Sequence, residues 1–209
     1  MAGCGCEMKA QNEQEQRTLW VVLWINALMF VFELLLGLWA HSTGLIADSL
    51  DMLADTSVYG IGLYAIGRSA LWQVRAARVA GVVEVILAVL VLLEVARKWL
   101  YGSEPVGGLM MAVGLVALCA NYYCLTRIAQ HKQGGVHMRA SYIFSKNDVI
   151  ANAGVILAGV LVWVTGSRYP DLVIGLAIAL LVLRGGWSIL RDTQTEQTSG
   201  SCSANNRSV

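Results

Sequence analysis

The sequence predicts an all-α membrane protein of six transmembrane helices, with both termini on the cytoplasmic side. Three observations predict it. Of the 209 residues, 56% are hydrophobic and only 14% charged, where a soluble domain of this size carries about 25% charged residues. The mean hydropathy is +0.59. The apolar residues also gather in blocks of roughly 20, the length a helix needs to cross a hydrocarbon core of about 30 Å.

The six blocks are Thr18–Ala40, Gly44–Ile66, Val79–Tyr101, Val106–Arg127, Asn147–Thr165 and Pro170–Leu190. Each can satisfy its own backbone in lipid as a helix. The first follows a polar stretch carrying Glu7, Glu13 and Glu15. A cleaved signal instead has a basic start and an apolar core of about 7–15 residues, so this block reads as a retained anchor. The connections after the first, third and fifth blocks are tight: His41–Thr43, Gly102–Pro105 and Gly166–Tyr169. Those after the second and fourth are longer and basic.

That alternation sets the orientation. Lys9, Arg17, Arg68, Arg75, Arg78, Arg127, Lys132, Arg139, Lys146, Arg184, Arg191 and Arg207 fall on one side; Arg97, Lys98 and Arg168 fall on the other. By the positive-inside rule the richer side is cytoplasmic. Residues 1–17 form a polar N-terminal tail, 18–191 the six-helix domain, and 192–209 a C-terminal tail polar enough to predict disorder. The net charge of +1 gives no basic stripe for nucleic acid. Five scattered cysteines make no disulfide framework.

The acids carry the chemistry. Glu33, Asp48, Asp51, Asp55, Glu84, Glu94 and Asp148 all fall inside apolar blocks, while basic residues lie only near block ends. An ionised side chain at the centre of a transmembrane helix costs about 2.5–3.5 kcal/mol on insertion scales. These acids must therefore be protonated, hydrated, or compensated by a cation. Asp48, Asp51 and Asp55 are spaced i, i+3, i+7, which places them on one helical face. A solvated helix-end cluster is the plainer alternative, strongest for Asp48. In the fifth block Asp148 and Asn152 are spaced i, i+4, with Ser145 one turn earlier. Asn147 points about 100° away from Asp148 and reads as a packing or capping residue.

A carboxylate from the fifth helix meeting Asp51 and Asp55 would make a three-oxygen site. Like charges so crowded favour keeping a proton while the site is empty, and a metal would expel it. Glu33 and Glu94 read equally as network partners, cavity residues or helix-end groups. Glu84 reads as lying near the cytoplasmic end of its helix. Cys4 and Cys6, beside Met8, could capture a soft metal, although a tail pair is more often incidental. His131 and His137 flank Gly134-Gly135 in a loop, where solvated histidines are the plainer reading. Cys119 and Cys124 read as small packing residues, and glycines such as Gly60, Gly67, Gly154 and Gly159 as sites of close helix approach.

With these residues in place, the chain resembles the cation diffusion facilitator family of metal–proton antiporters over about Leu19 to Arg191. The strongest segment is FELLLGLWAHSTGLIADSLDMLAD, which is similar to the family's first-to-second helix junction: a Glu, a Leu-Ala-Asp motif, then a metal-binding [His/Asp]-x3-Asp. Asp51 and Asp55 match that pair and Asp48 the Asp before it. LEVARKWLYGSEPVGGLMMAVGLVALCAN, with Glu94, Pro105 and Asn121, NDVIANAGVILAG and PDLVIGLAIALLVL extend the likeness.

Two departures stand out. The family's fifth-helix pair is commonly His-x3-Asp; Asp148 matches the Asp, but the other position holds Phe144. Asn152, Asp48, Ser145 or water would then complete the coordination. Many members also carry a cytoplasmic metal-binding domain after the sixth helix, and this chain stops short of one.

The resemblance implies a secondary active transporter in the cell (inner) membrane. It would export a divalent cation, Zn²⁺, Mn²⁺, Fe²⁺, Co²⁺ or Cd²⁺, in exchange for protons, the metal being substrate and no cofactor being needed. It also implies a homodimer, made here by the helices. The expected metal ligands are Asp51, Asp55 and Asp148, with Asp48, Ser145 and Asn152 behind them. Oxygen-only donors suit Mn²⁺ better than zinc, which favours nitrogen and sulfur. The rival readings are a membrane redox protein using its cysteines, and a metal-binding partner that does not transport.

Overall fold

The computed structural model describes residues 4–65, 70–130 and 136–205, with side chains described for 13–61, 81–130, 145–191 and a few neighbouring positions. Six helices run in order: α1 (Cys4–Trp39), α2 (Thr43–Ala65), α3 (Ala70–Tyr101), α4 (Gly107–Ala129), α5 (Val136–Thr165) and α6 (Tyr169–Asn205). Their boundaries at the three tight turns agree with the sequence to within a residue or two.

They depart from it at the other end. Helix α1 begins at Cys4, inside the polar tail, and α6 continues past Arg191 to Asn205, through the segment whose composition predicts disorder. A helix already nucleated in an apolar span propagates at little cost, one hydrogen bond for each residue fixed.

Each tight turn is made by one left-handed residue: His41 (φ 51), Gly102 (φ 90) and Gly166 (φ 64). At His41 this reversal lets the Ser42 N–H reach back to the Gly37 carbonyl at 3.0 Å, closing α1 and freeing Thr43 to start α2. The three turns gather at one end of the molecule. We call it the turn end; the termini and longer connections lie at the tail end.

The helices pack most closely as α1 with α2, α3 with α6, and α4 with α5, and α2 touches all five others. Small residues line these seams: Ala47 and Ala54 of α2, Ala88 of α3, Ala158 of α5 and Ala179 of α6 are buried in one core. Gly107 and Gly159 bring α4 and α5 to backbone contact, and Gly81 and Gly186 do so for α3 and α6. Without water to exclude, helices in lipid associate through this kind of close approach.

The outer surface is apolar. Leu28, Leu35, Leu93, Leu157 and Val173 are all exposed. Exposed aromatics sit towards both ends of the apolar bands: Trp39, Trp99, Tyr101, Trp163 and Tyr169 at the turn end, Trp20, Trp24, Tyr122, Tyr123 and Trp187 towards the tail end. That is the pattern of two interfacial belts. Among the described residues, four stretches are long and apolar enough to span by length and composition: Glu13–Trp39, Gly107–Ala129, Ser145–Thr165 and Tyr169–Arg191. The chain is an integral membrane protein.

Candidate metal centre

Because α2 lies at the centre, its acidic face is turned inward. Asp48, Asp51 and Asp55 are all buried. Helix α5 presents the same i, i+3, i+7 spacing through Ser145, Asp148 and Asn152, and these three are buried too. The two faces meet. Asp148 comes within hydrogen-bonding reach of Asp55, and Asp51 feels the charges of Asp55, Asp48 and Glu84. The sequence-expected Asp51, Asp55 and Asp148 thus lie on facing helices, α2 and α5.

The local bonding leaves acceptors without donors. The Asn152 side-chain amide donates to the Asp148 carbonyl at 2.8 Å, which fixes its nitrogen and leaves its oxygen buried and unbonded. One carboxylate oxygen each of Asp48 and Asp148, and the Ser145 hydroxyl, are likewise buried without a partner. Leaving such a group unsatisfied costs about 1–3 kcal/mol, more when it is charged. A cation or protons would relieve it, so the donor set fits a metal ion of oxygen preference. It is not yet a closed cage: among the described residues, no three His, Cys, Asp or Glu side chains are gathered closely enough to hold a metal as they stand.

Two weaker candidates prove central. Glu33, from α1, is fully buried within hydrogen-bonding reach of Asp48. Glu84, expected near the membrane surface, is buried instead and faces Asp51. Its place on α3, opposite α2, turns the carboxylate towards Asp51. Glu94 moves the other way. It accepts from Arg97 at 2.7 Å and 2.8 Å, with Lys98 at 3.7 Å. Although basic residues lie only near block ends, i, i+3 and i, i+4 neighbours on α3 supply Glu94 with basic partners.

A cavity of about 660 Å³ opens beside this cluster, lined by Asp51, Glu84, Asn147, Arg184 and Ser188 among others. Asn147, read as a capping or packing residue, lines that space instead. Arg184 and Ser188 belong to the tail-end half of α6, so the cavity approaches Asp51 from that side.

At the turn end a buried clasp joins α2 to α6. Asp171, in the first turn of α6, accepts from the Ser42 hydroxyl at 2.6 Å, the Thr43 N–H at 2.6 Å and the Gly44 N–H at 2.9 Å. It thereby caps α2 from another helix. Lys98, also buried, donates to the His41 carbonyl at 2.8 Å. The sequence signal for this clasp was an acid following Pro170 and a Ser-Thr pair at a helix start. Tyr59 was missed as well: it is buried and donates to Asp55 Oδ2 at 3.1 Å. Its signal was the i, i+4 spacing.

Cys119 and Cys124 are free thiols, Cys119 exposed and Cys124 buried. His131 lies outside the described residues. The side chains of Cys4, Cys6, His137, Phe144 and Cys202 lie outside the described side chains.

Comparison with known proteins fits this arrangement. The profile of the cation efflux transmembrane domain matches residues 19–196. The zinc transporter ZitB of Escherichia coli is 26% identical over 204 residues, covering 90% of this chain and 64% of its own length. The metal cation efflux system protein CzcD of Cupriavidus metallidurans is 22% identical over 190 residues, covering 85% of this chain and 60% of its own. A cadmium, cobalt and zinc/H(+)-K(+) antiporter of Bacillus velezensis is 21% identical over 177 residues, covering 78% and 56%. The chain thus spans somewhat under two thirds of the length of these relatives. With the profile running from the first apolar block through the sixth, the chain belongs to the cation efflux, or cation diffusion facilitator, family.

Proposed function

We propose that the chain exports a divalent transition-metal ion from the cytoplasm in exchange for protons, as a six-span transporter with cytoplasmic termini in the inner membrane. The observation that carries this reading is the meeting of two buried oxygen-bearing faces, on α2 and α5, beside a cavity reached from the basic tail end. Asp51, Asp55 and Asp148 are the proposed ligands, completed by Asp48, Ser145 or Asn152. The names of the relatives, zinc transporter and cadmium, cobalt and zinc antiporter, support a metal cargo of this class.

In this reading the empty site holds protons among its crowded carboxyls, and an entering metal displaces them. The cavity beside Asp51 and the clasp at Asp171 correspond to an inward-open state. Rocking of the helices then exposes the site at the turn end. Asp51→Ala and Asp148→Ala in reconstituted vesicles test this directly. Each should abolish metal-driven proton movement, and transport surviving in both would remove the site.

A second reading, a metal-binding partner that does not transport, draws on Phe144 and on the absence of three closed donors among the described residues. Metal binding in detergent with no uptake into vesicles would favour it.

A further inference from the structure

Tyr59 is 1% exposed, with its ring in a buried apolar cluster containing Leu19, Val22, Cys124 and Ile128. A phenol at such a depth needs a hydrogen-bond partner. The one it takes is Oδ2 of Asp55, one turn earlier on the same helix, at 3.1 Å. That oxygen is therefore engaged before any metal arrives. The phenol leaves the other oxygen unengaged by it.

We propose that Tyr59 is a positioning and specificity-determining residue, which holds Asp55 so that it offers a metal one oxygen rather than two. The inference rests on the transport reading above and deepens it. Small ions such as Zn²⁺ take carboxylate oxygens singly at about 2.0–2.2 Å, whereas larger ions, as Ca²⁺ illustrates at about 2.3–2.6 Å, accept both oxygens of one carboxylate. A phenol on Oδ2 therefore biases the site towards small ions. The rotamer lock matters more here because Phe144 supplies no imidazole, so geometry must come from the carboxylates themselves. Were Tyr59 only a packing residue, its ring alone would matter and its hydroxyl would not.

The test is Tyr59→Phe, which keeps the ring and removes the O–H, with Val22→Ala as a packing control in the same cluster. Both are reconstituted in vesicles with Mn²⁺ and, separately, the larger Cd²⁺. Loss of an outer hydrogen-bond partner typically weakens metal binding about 10–100-fold. Tyr59→Phe should accordingly raise KM for Mn²⁺ by about tenfold or more, with a smaller change in maximal rate. It should also raise the Cd²⁺ to Mn²⁺ ratio of kcat/KM. Val22→Ala should leave KM and that ratio alone.

An unchanged KM and ratio in Tyr59→Phe, with Asp55→Ala inactive, would overturn the role of Tyr59 and leave the transport reading standing. An equal shift in Val22→Ala would overturn it too, by tracing the effect to packing. Full transport by Asp55→Ala would remove both.

Discussion

Two groups of buried aspartates in this molecule share the same burial and differ in everything else. Asp171, at the turn end, is met by three donors from the start of α2, all within 2.9 Å. Asp48, Asp51, Asp55 and Asp148, deeper in the bundle, face mainly one another, and the donor shown among them is the Tyr59 phenol. The first group is satisfied by protein and holds two helices together. In the proposed transporter the second is left for a cation or protons. Depth in a membrane marks an acid as costly; the donors around it separate a structural clasp from a site.

The contrast can be broken experimentally, most sharply by activity. Asp148→Ala or Asp51→Ala should lower vesicle transport by at least about a thousandfold, as expected when a site loses a charged ligand. Asp171→Ala should act first on stability. Removing the acceptor leaves three buried donors unpaired, a loss of about 3–5 kcal/mol read as a lower melting temperature in detergent. If Asp171→Ala melts like the parent, the clasp is not structural and the comparison fails.

Phe144→His probes selectivity within the site. Restoring an imidazole one turn before Asp148 should raise zinc transport relative to manganese by about tenfold; an unchanged metal profile would remove that argument. Smallest and opposite in sign, Asp51→Asn should raise the melting temperature of the metal-free protein. It removes one of several mutually repelling groups, a gain of about 1 kcal/mol. A fall instead would mean that Asp51 is already satisfied.

Much of this was legible in the chain. The apolar blocks and the three tight turns located the helices, because lipid imposes one length and one backbone solution. The i, i+3, i+7 spacing located the acidic face of α2, because helical period is local. What stayed hidden depends on other helices. Glu33 and Glu84 could not be ranked until α1 and α3 were seen against α2. Asp171 is an ordinary first-turn acid until Ser42 and Thr43 arrive from the far end of the sequence. Glu94 looked like its buried neighbours, yet its partners were three and four residues away. The helical backbone of the polar tails, too, was set by the spans they extend rather than by their own composition.

The glycine seams have a consequence for heredity. A Cβ at Gly107 would lie 2.5 Å from the Gly159 carbonyl oxygen, and one at Gly186 would lie 3.0 Å from that of Gly81. Every missense change of a glycine codon adds that atom. Drift should therefore be slow along the α4–α5 and α3–α6 lines, while lipid-facing positions such as Leu157 or Val173 exchange freely among apolar residues. Across descendants of this sequence, two paired tracks of invariant glycine would record which helices move as one body.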